Sequence, residues 1–172
     1  MKKIIYLMTI LIVIFSSCKK SSNNVNSITT DAIATSQGKF NNSAKATHLT
    51  LLPSGYSIKI EGFKGTPNSS DKVELYVNSA NPITAGTYSE NDPSTPFAQV
   101  EIVFSQYVPF IGYVDYGSFQ SATDPCIVTI SEISATTVKG TFGGTIRNSS
   151  PNNPPLPAYS PFSITGNFNA NF

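Results

Sequence analysis

Ile127-Val-Thr-Ile-Ser-Glu-Ile133, then Ser134-Ala-Thr-Thr137, then Val138-Lys-Gly-Thr-Phe-Gly-Gly-Thr-Ile146 is a run in which apolar and polar residues alternate on both sides of a short polar break. Alternation with a period of two puts every second side chain on one face of an extended chain, which is the signature of a half-buried strand and not of a helix. Val128 and Ile130 share a face in the first segment, and Val138, Gly140, Phe142, Gly144 and Ile146 share one in the second. Phe162-Ser-Ile-Thr-Gly-Asn-Phe-Asn-Ala-Asn-Phe172 repeats the pattern at the C-terminus, with Phe162, Ile164, Phe168 and Ala170 together. Two successive strands and a third returning beside them predict an antiparallel sheet.

Working toward the N-terminus, the same period recurs. It predicts strands over 98–105, 72–78 and 56–63, the last joined through Pro53-Ser54-Gly55 to a partner at 45–52. Weaker strands fit 32–37 and 83–89. Pro109 interrupts the chain after 98–105, so Phe110 to Phe119 reads as a separate extended segment at a sheet edge or bulge. Between Asn148 and Pro161 lie five prolines and three asparagines, a composition that makes a loop. The expectation is an all-β domain, an antiparallel β-sandwich of about nine or ten short strands, with no helix longer than two turns. Its core is expected to hold Ile58, Ile60, Val73, Leu75, Val100, Ile102, Phe104, Val128, Ile130, Phe142, Ile146, Ile164 and Phe168, with Cys126 a buried or half-buried free thiol beside them.

The first residues obey a different rule. Lys2 and Lys3 precede an apolar run from Ile4 to Phe15, followed by Ser16-Ser17-Cys18. Twelve residues are too few for a bilayer span, which needs about 20; a charged start, a short apolar stretch and small residues before a cleavage point describe a signal peptide over 1–17. Behind it, Cys18 to Ser27 is polar and reads as a flexible tether, leaving 28–172 as the folded domain.

Phe15-Ser-Ser-Cys18 resembles the lipobox of bacterial lipoproteins, with phenylalanine and serine where leucine and glycine or alanine are commonest. The resemblance implies a thioether diacylglycerol on the Cys18 sulfur and an N-acyl group, three acyl chains in all. It also implies an address: no aspartate follows Cys18, which favours the outer membrane of the cell envelope. The later segments, Ile127-Val-Thr-Ile130, Val138-Lys-Gly-Thr-Phe142 and Ile164-Thr-Gly-Asn-Phe168, with Ala85-Gly-Thr-Tyr88 earlier, resemble a group of small β-rich lipoproteins of Gram-negative bacteria. This second resemblance implies fold and address and carries no activity with it.

Charge and composition exclude more than they assign. Of eleven Lys and Arg, Lys2 and Lys3 leave with the signal peptide, so nine positive groups face ten carboxylates and no basic face exists for nucleic acid. His48 is the sole histidine, no Gly-Xaa-Ser-Xaa-Gly elbow is present, and with Cys18 acylated Cys126 has no cysteine partner. No catalytic residue, metal-ligand set or cofactor is therefore named. Glu90-Asn91-Asp92, and Asp115 with Asp124, offer oxygen ligands but no calcium-loop spacing, and read as solvated. The expected role is a non-enzymatic one, binding an envelope protein or serving as structure. The alternative is a glycan-binding module, for which the candidate rings are Tyr113, Tyr116 and Phe119, with Tyr113 accessible and the Phe110 side facing inward.

Overall fold

Eleven strands are present in the computed structural model, which describes residues 27–32, 36–50, 55–93, 98–121, 123–148 and 161–172. They are β1 (Ser27–Ala32), β2 (Ser36–Phe40), β3 (Asn42–Thr50), β4 (Tyr56–Phe63), β5 (Lys72–Ser79), β6 (Gly86–Ser89), β7 (Val100–Val108), β8 (Gly112–Ser118), β9 (Ile127–Ile133), β10 (Thr137–Asn148) and β11 (Phe162–Asn171). Every pairing is antiparallel, and no helix occurs among the described residues.

β10 is the strand on which the architecture turns. β11 runs along one of its edges from Thr137↔Asn171 to Ile146↔Phe162. Its other edge is divided: β9 pairs with Val138 to Gly143, and β8 pairs with Ile146 to Asn148. The sheet diverges from that division. One arm continues β8-β7-β5-β4-β3, while β9 and β6 stay with β10, β11, β1 and β2. The arms close on one another as two layers, with the Phe104 ring of β7 meeting Phe40 of β2 and Phe162 of β11 edge to face, each at 6.3 Å.

The core lies between these layers. β4, β5 and β7 contribute Ile58, Ile60, Val73, Leu75, Val77, Val100, Ile102 and Phe104; β9, β10 and β11 contribute Val128, Ile130, Val138, Phe142, Ile146, Ile164, Phe168 and Ala170. Every residue expected in the core from alternation is buried, and so is Cys126. Full burial of one such side chain is worth about 1.5–3 kcal/mol. Gly140 marks a bulge where the β9 register shifts, and a Cβ there would collide with the Thr129 carbonyl oxygen and the Phe168 ring. Glycine is required at this point because Phe168, its cross-strand partner, lies over the bare backbone.

Several expectations are corrected. No single strand spans 32–37: β1 ends at Ala32, β2 begins at Ser36, and Ser27, assigned to the tether, already pairs in β1. The strand sought at 83–89 is only Gly86–Ser89. Phe110 to Phe119 is a sheet edge only in its first half: β7 pairs with β8 from Gly112 to Gly117, while on the other side β10 covers only Tyr116 to Ser118. Pro109 breaks no ladder, since it occupies a turn. The Ile111 amide donates to the Val108 carbonyl at 3.1 Å, with Phe110 at φ 69°. Phe110 therefore projects into solvent, fully exposed, and leaves the inward side to Val114. Glu90 is no solvated loop residue but is buried.

Candidate functional site

Tyr113, Tyr116 and Phe119 do not form one surface. Tyr116 points inward, packing against Phe104 at 6.0 Å and Phe162 at 5.3 Å. Tyr113 is half-buried and engaged on all sides: its hydroxyl donates to the Ser70 carbonyl at 3.2 Å, Tyr107 meets it edge to face at 5.7 Å, and the Lys72 ammonium lies 5.1 Å from its ring centre. The Phe119 ring carries the Arg147 guanidinium at 4.6 Å. Cys18 lies outside the described residues.

The open concave surface is elsewhere, at the end of the layers where β3 runs out and β4 begins. In β3 and β4 the inward-facing pairs are Ala46↔Ile60, His48↔Ile58 and Thr50↔Tyr56. Ala46, Ile60 and Ile58 are buried, whereas His48 and Thr50 are exposed and Tyr56 keeps 48% of its surface. The inner face thus continues past the point where the opposite layer covers it. An open cavity of about 740 Å³ results, lined by His48, Thr50, Tyr56 and Ile58 of these residues, with Leu49, Ser57, Ala80, Pro82 and Ile83 beside them. Among the described residues no Asp, Glu, Lys or Arg lines it. One face of the His48 ring is stacked on Phe172 at 4.0 Å with 6° between the planes, which fixes the imidazole as a wall of the mouth.

Its chemistry is that of an apolar pocket with few polar groups, the usual form of a small-molecule or side-chain binding site. His48 shares the lining with the hydroxyls of Thr50 and Ser57, of which Ser57 donates to Asn78 Oδ1 at 2.8 Å. The sequence signal for this site was present only in part. Alternation placed Tyr56 and Ile58 on one face, but where the covering layer stops depends on how the two arms close.

A second, smaller cleft of about 340 Å³ is bordered by Glu90, Glu101, Asn78, Ser118, Phe119 and Gln120. The Glu90 carboxylate is committed to the fold: Oε1 accepts the amides of Ser121 at 3.1 Å and Cys126 at 2.9 Å, and the Glu90 amide donates to the Cys126 carbonyl at 3.0 Å. Asp124 accepts from the Thr145 hydroxyl. Among the described residues no group of three or more His, Cys, Asp or Glu side chains is placed to hold a metal ion. Burial raises the Cys126 thiol far above its ordinary range, and the Glu90 and Asp124 charges push it further the same way.

Comparison with protein-family models, curated proteins and solved structures returned no match.

Proposed function

We propose that this chain is a lipid-anchored protein of the bacterial cell envelope whose β-domain has a non-enzymatic binding role, with the mouth between β3, β4 and Ile83 as its binding site. The observation that carries the binding role is the uncharged, largely apolar cavity of about 740 Å³, a size and lining suited to an apolar group. The anchoring rests on Lys2-Lys3, the apolar run from Ile4 to Phe15 and Cys18.

Two measurements test this. Mass spectrometry of the mature N-terminus should find Cys18 first and acylated; a free thiol there ends the anchoring claim. Titration with an anilinonaphthalene sulfonate dye should show saturable binding that Tyr56→Asp weakens at least about tenfold, since it sets a carboxylate beside the dye's own negative charge at the rim of an apolar pocket. A glycan-binding role is the second reading. It is favoured by the exposed ring of Tyr56 at the mouth, since sugar stacking needs an open aromatic face. Retention on a glycan array that is lost in Tyr56→Ala would select it.

A further inference from the structure

The mouth and the start of the folded chain lie at the same end of the molecule. Ser27, the first residue of β1, pairs with Asn169 of β11. Three residues further along the chain is Phe172, whose ring is stacked on His48 in the wall of the mouth. At about 3.3 Å per strand residue and about 4.8 Å between strands, this puts Ser27 within roughly 15 Å of the His48–Phe172 pair. The Phe110 turn is at the far end, because β8 runs downward from Gly112 toward Ser118 and meets β10 only at Ile146 to Asn148, while Ser27 is level with Lys139.

Eight residues, nine backbone steps, separate Cys18 from Ser27, a reach of about 30 Å when extended. A group carried on Cys18 can therefore reach the mouth of its own domain with chain to spare. A tether of this length also holds its cargo at an effective concentration of the order of millimolar. A sixteen-carbon acyl chain, at roughly 30 Å³ per methylene, close to the share of one liquid water, needs about 480 Å³. The open mouth, about 740 Å³, has the volume for it, and with no Asp, Glu, Lys or Arg among its described lining residues no such ion is desolvated by its entry.

We propose that the mouth takes up one acyl chain of the lipid on Cys18 of the same molecule. This rests on the anchoring reading given above and names the occupant of that same site. Stable membrane attachment takes two hydrocarbon chains, so a three-chain anchor can hold the bilayer with two while the third lies against Tyr56, Ile58 and Ile83. The occupant is an unbranched acyl chain, and its source is the protein's own anchor, not a bilayer lipid and not a second copy.

The test uses the full chain made in a Gram-negative host fed a palmitate analogue with a diazirine near its methyl end. After illumination the diazirine expels N2 and its carbene inserts into a nearby C–H or O–H bond, so peptide mapping should find an intramolecular link between the Cys18 peptide and the peptide carrying Tyr56 or Ile83, with the loss of one N2 as the sole change in mass. Tyr56→Lys, a change at an exposed ring that leaves the core intact, should lower that yield at least about fivefold. Links of labelled phospholipid to the mouth, or covalent dimers, would overturn the proposal by naming a different source. Label on Cys18 with links only to bilayer lipid would overturn it while leaving the anchor standing. No label on the protein at all would remove the anchor and the proposal together.

Discussion

The Lys59 ammonium lies 2.6 Å from one carboxylate oxygen of Glu74 and 2.7 Å from one of Glu61, and Glu61 and Glu74 are direct cross-strand partners. Like charges placed opposite each other destabilise a sheet. Lys59 removes that repulsion from between them, with Lys45 at 3.0 Å from Glu61 and Lys72 at 2.8 Å from Glu74 on the flanks. Burial alone would raise the Glu74 carboxyl, but hydrogen bonds from Lys59 and Lys72 and their charges outweigh it and hold it below the usual range; Glu61 is lowered in the same way by Lys59 and Lys45.

Lys59→Met should cost about 1–3 kcal/mol at pH 7, since it leaves a largely buried carboxylate facing a second one. Because both glutamates have folded pKa values below their unfolded ones, their contribution in the native protein is complete at neutral pH. It is lost as the pH falls from about 4.3, the unfolded glutamate value, through the lowered folded values. Lys59 is raised, so its share persists through neutral pH and is lost only in strong alkali. Urea unfolding at pH 7 and pH 3 checks this: the gap between native and Lys59→Met should narrow in acid. A gap that is constant with pH would show that lost packing, not charge, is the cause.

Glu90 and Cys126 are coupled. Glu90→Ala strips the acceptor from two buried amides and should cost about 2–4 kcal/mol, while Glu90→Gln keeps one oxygen for them and should cost less. In the native protein a thiol reagent should modify Cys126 only as fast as the domain opens, because the thiol is buried and its ionisation suppressed. Glu90→Ala should therefore speed that labelling, and equal rates in native and variant protein would refute the link.

Phe110 occupies a position that strains a large side chain. With Pro109 before it and φ 69°, it stands at the third position of a turn with the φ pattern of type II, where glycine or asparagine is favoured. Its ring is fully exposed and contributes no packing. Phe110→Gly should accordingly stabilise the domain by about 0.5–1 kcal/mol, seen as a rise in melting temperature. A loss of stability would mean that the ring makes contacts in solution.

Phe142 and Gly140 test the β10 interior. Truncation of Phe142 to alanine should cost about 3–5 kcal/mol, the range for a buried aromatic. Gly140→Ala, which adds one methyl, should cost about 1–3 kcal/mol by overpacking against Phe168 and the Thr129 carbonyl. Denaturant midpoints for the two variants measure both. If Gly140→Ala were neutral, the close approach at the bulge would be wrong.

The sequence by itself determined the class of fold and most of the core, but not Phe40, a fully buried ring that lies outside every expected strand. Alternation is a local property: whichever partner a strand finds, Val73 and Leu75, or Ile164 and Phe168, must leave water on the same side, so burial was legible without any pairing. The unpaired, buried state of Cys126 followed from counting and from its neighbours on that face. Tertiary structure alone decided how β10 divides its edge between β8 and β9, because that depends on contacts between strands far apart in the chain, which no local period records. The same reason hid the mouth. Tyr56 and His48 carry the inward pattern but stay exposed, with the Phe172 ring at the end of the opposite layer reaching His48, and only the closing of the two arms sets where that layer ends. Phe110 was misread for the complementary reason: the two-residue period of β8, extended back from Val114, puts the ring on the inward side, but Phe110 already belongs to the turn bonded from Val108 to Ile111, whose backbone directs it into solvent.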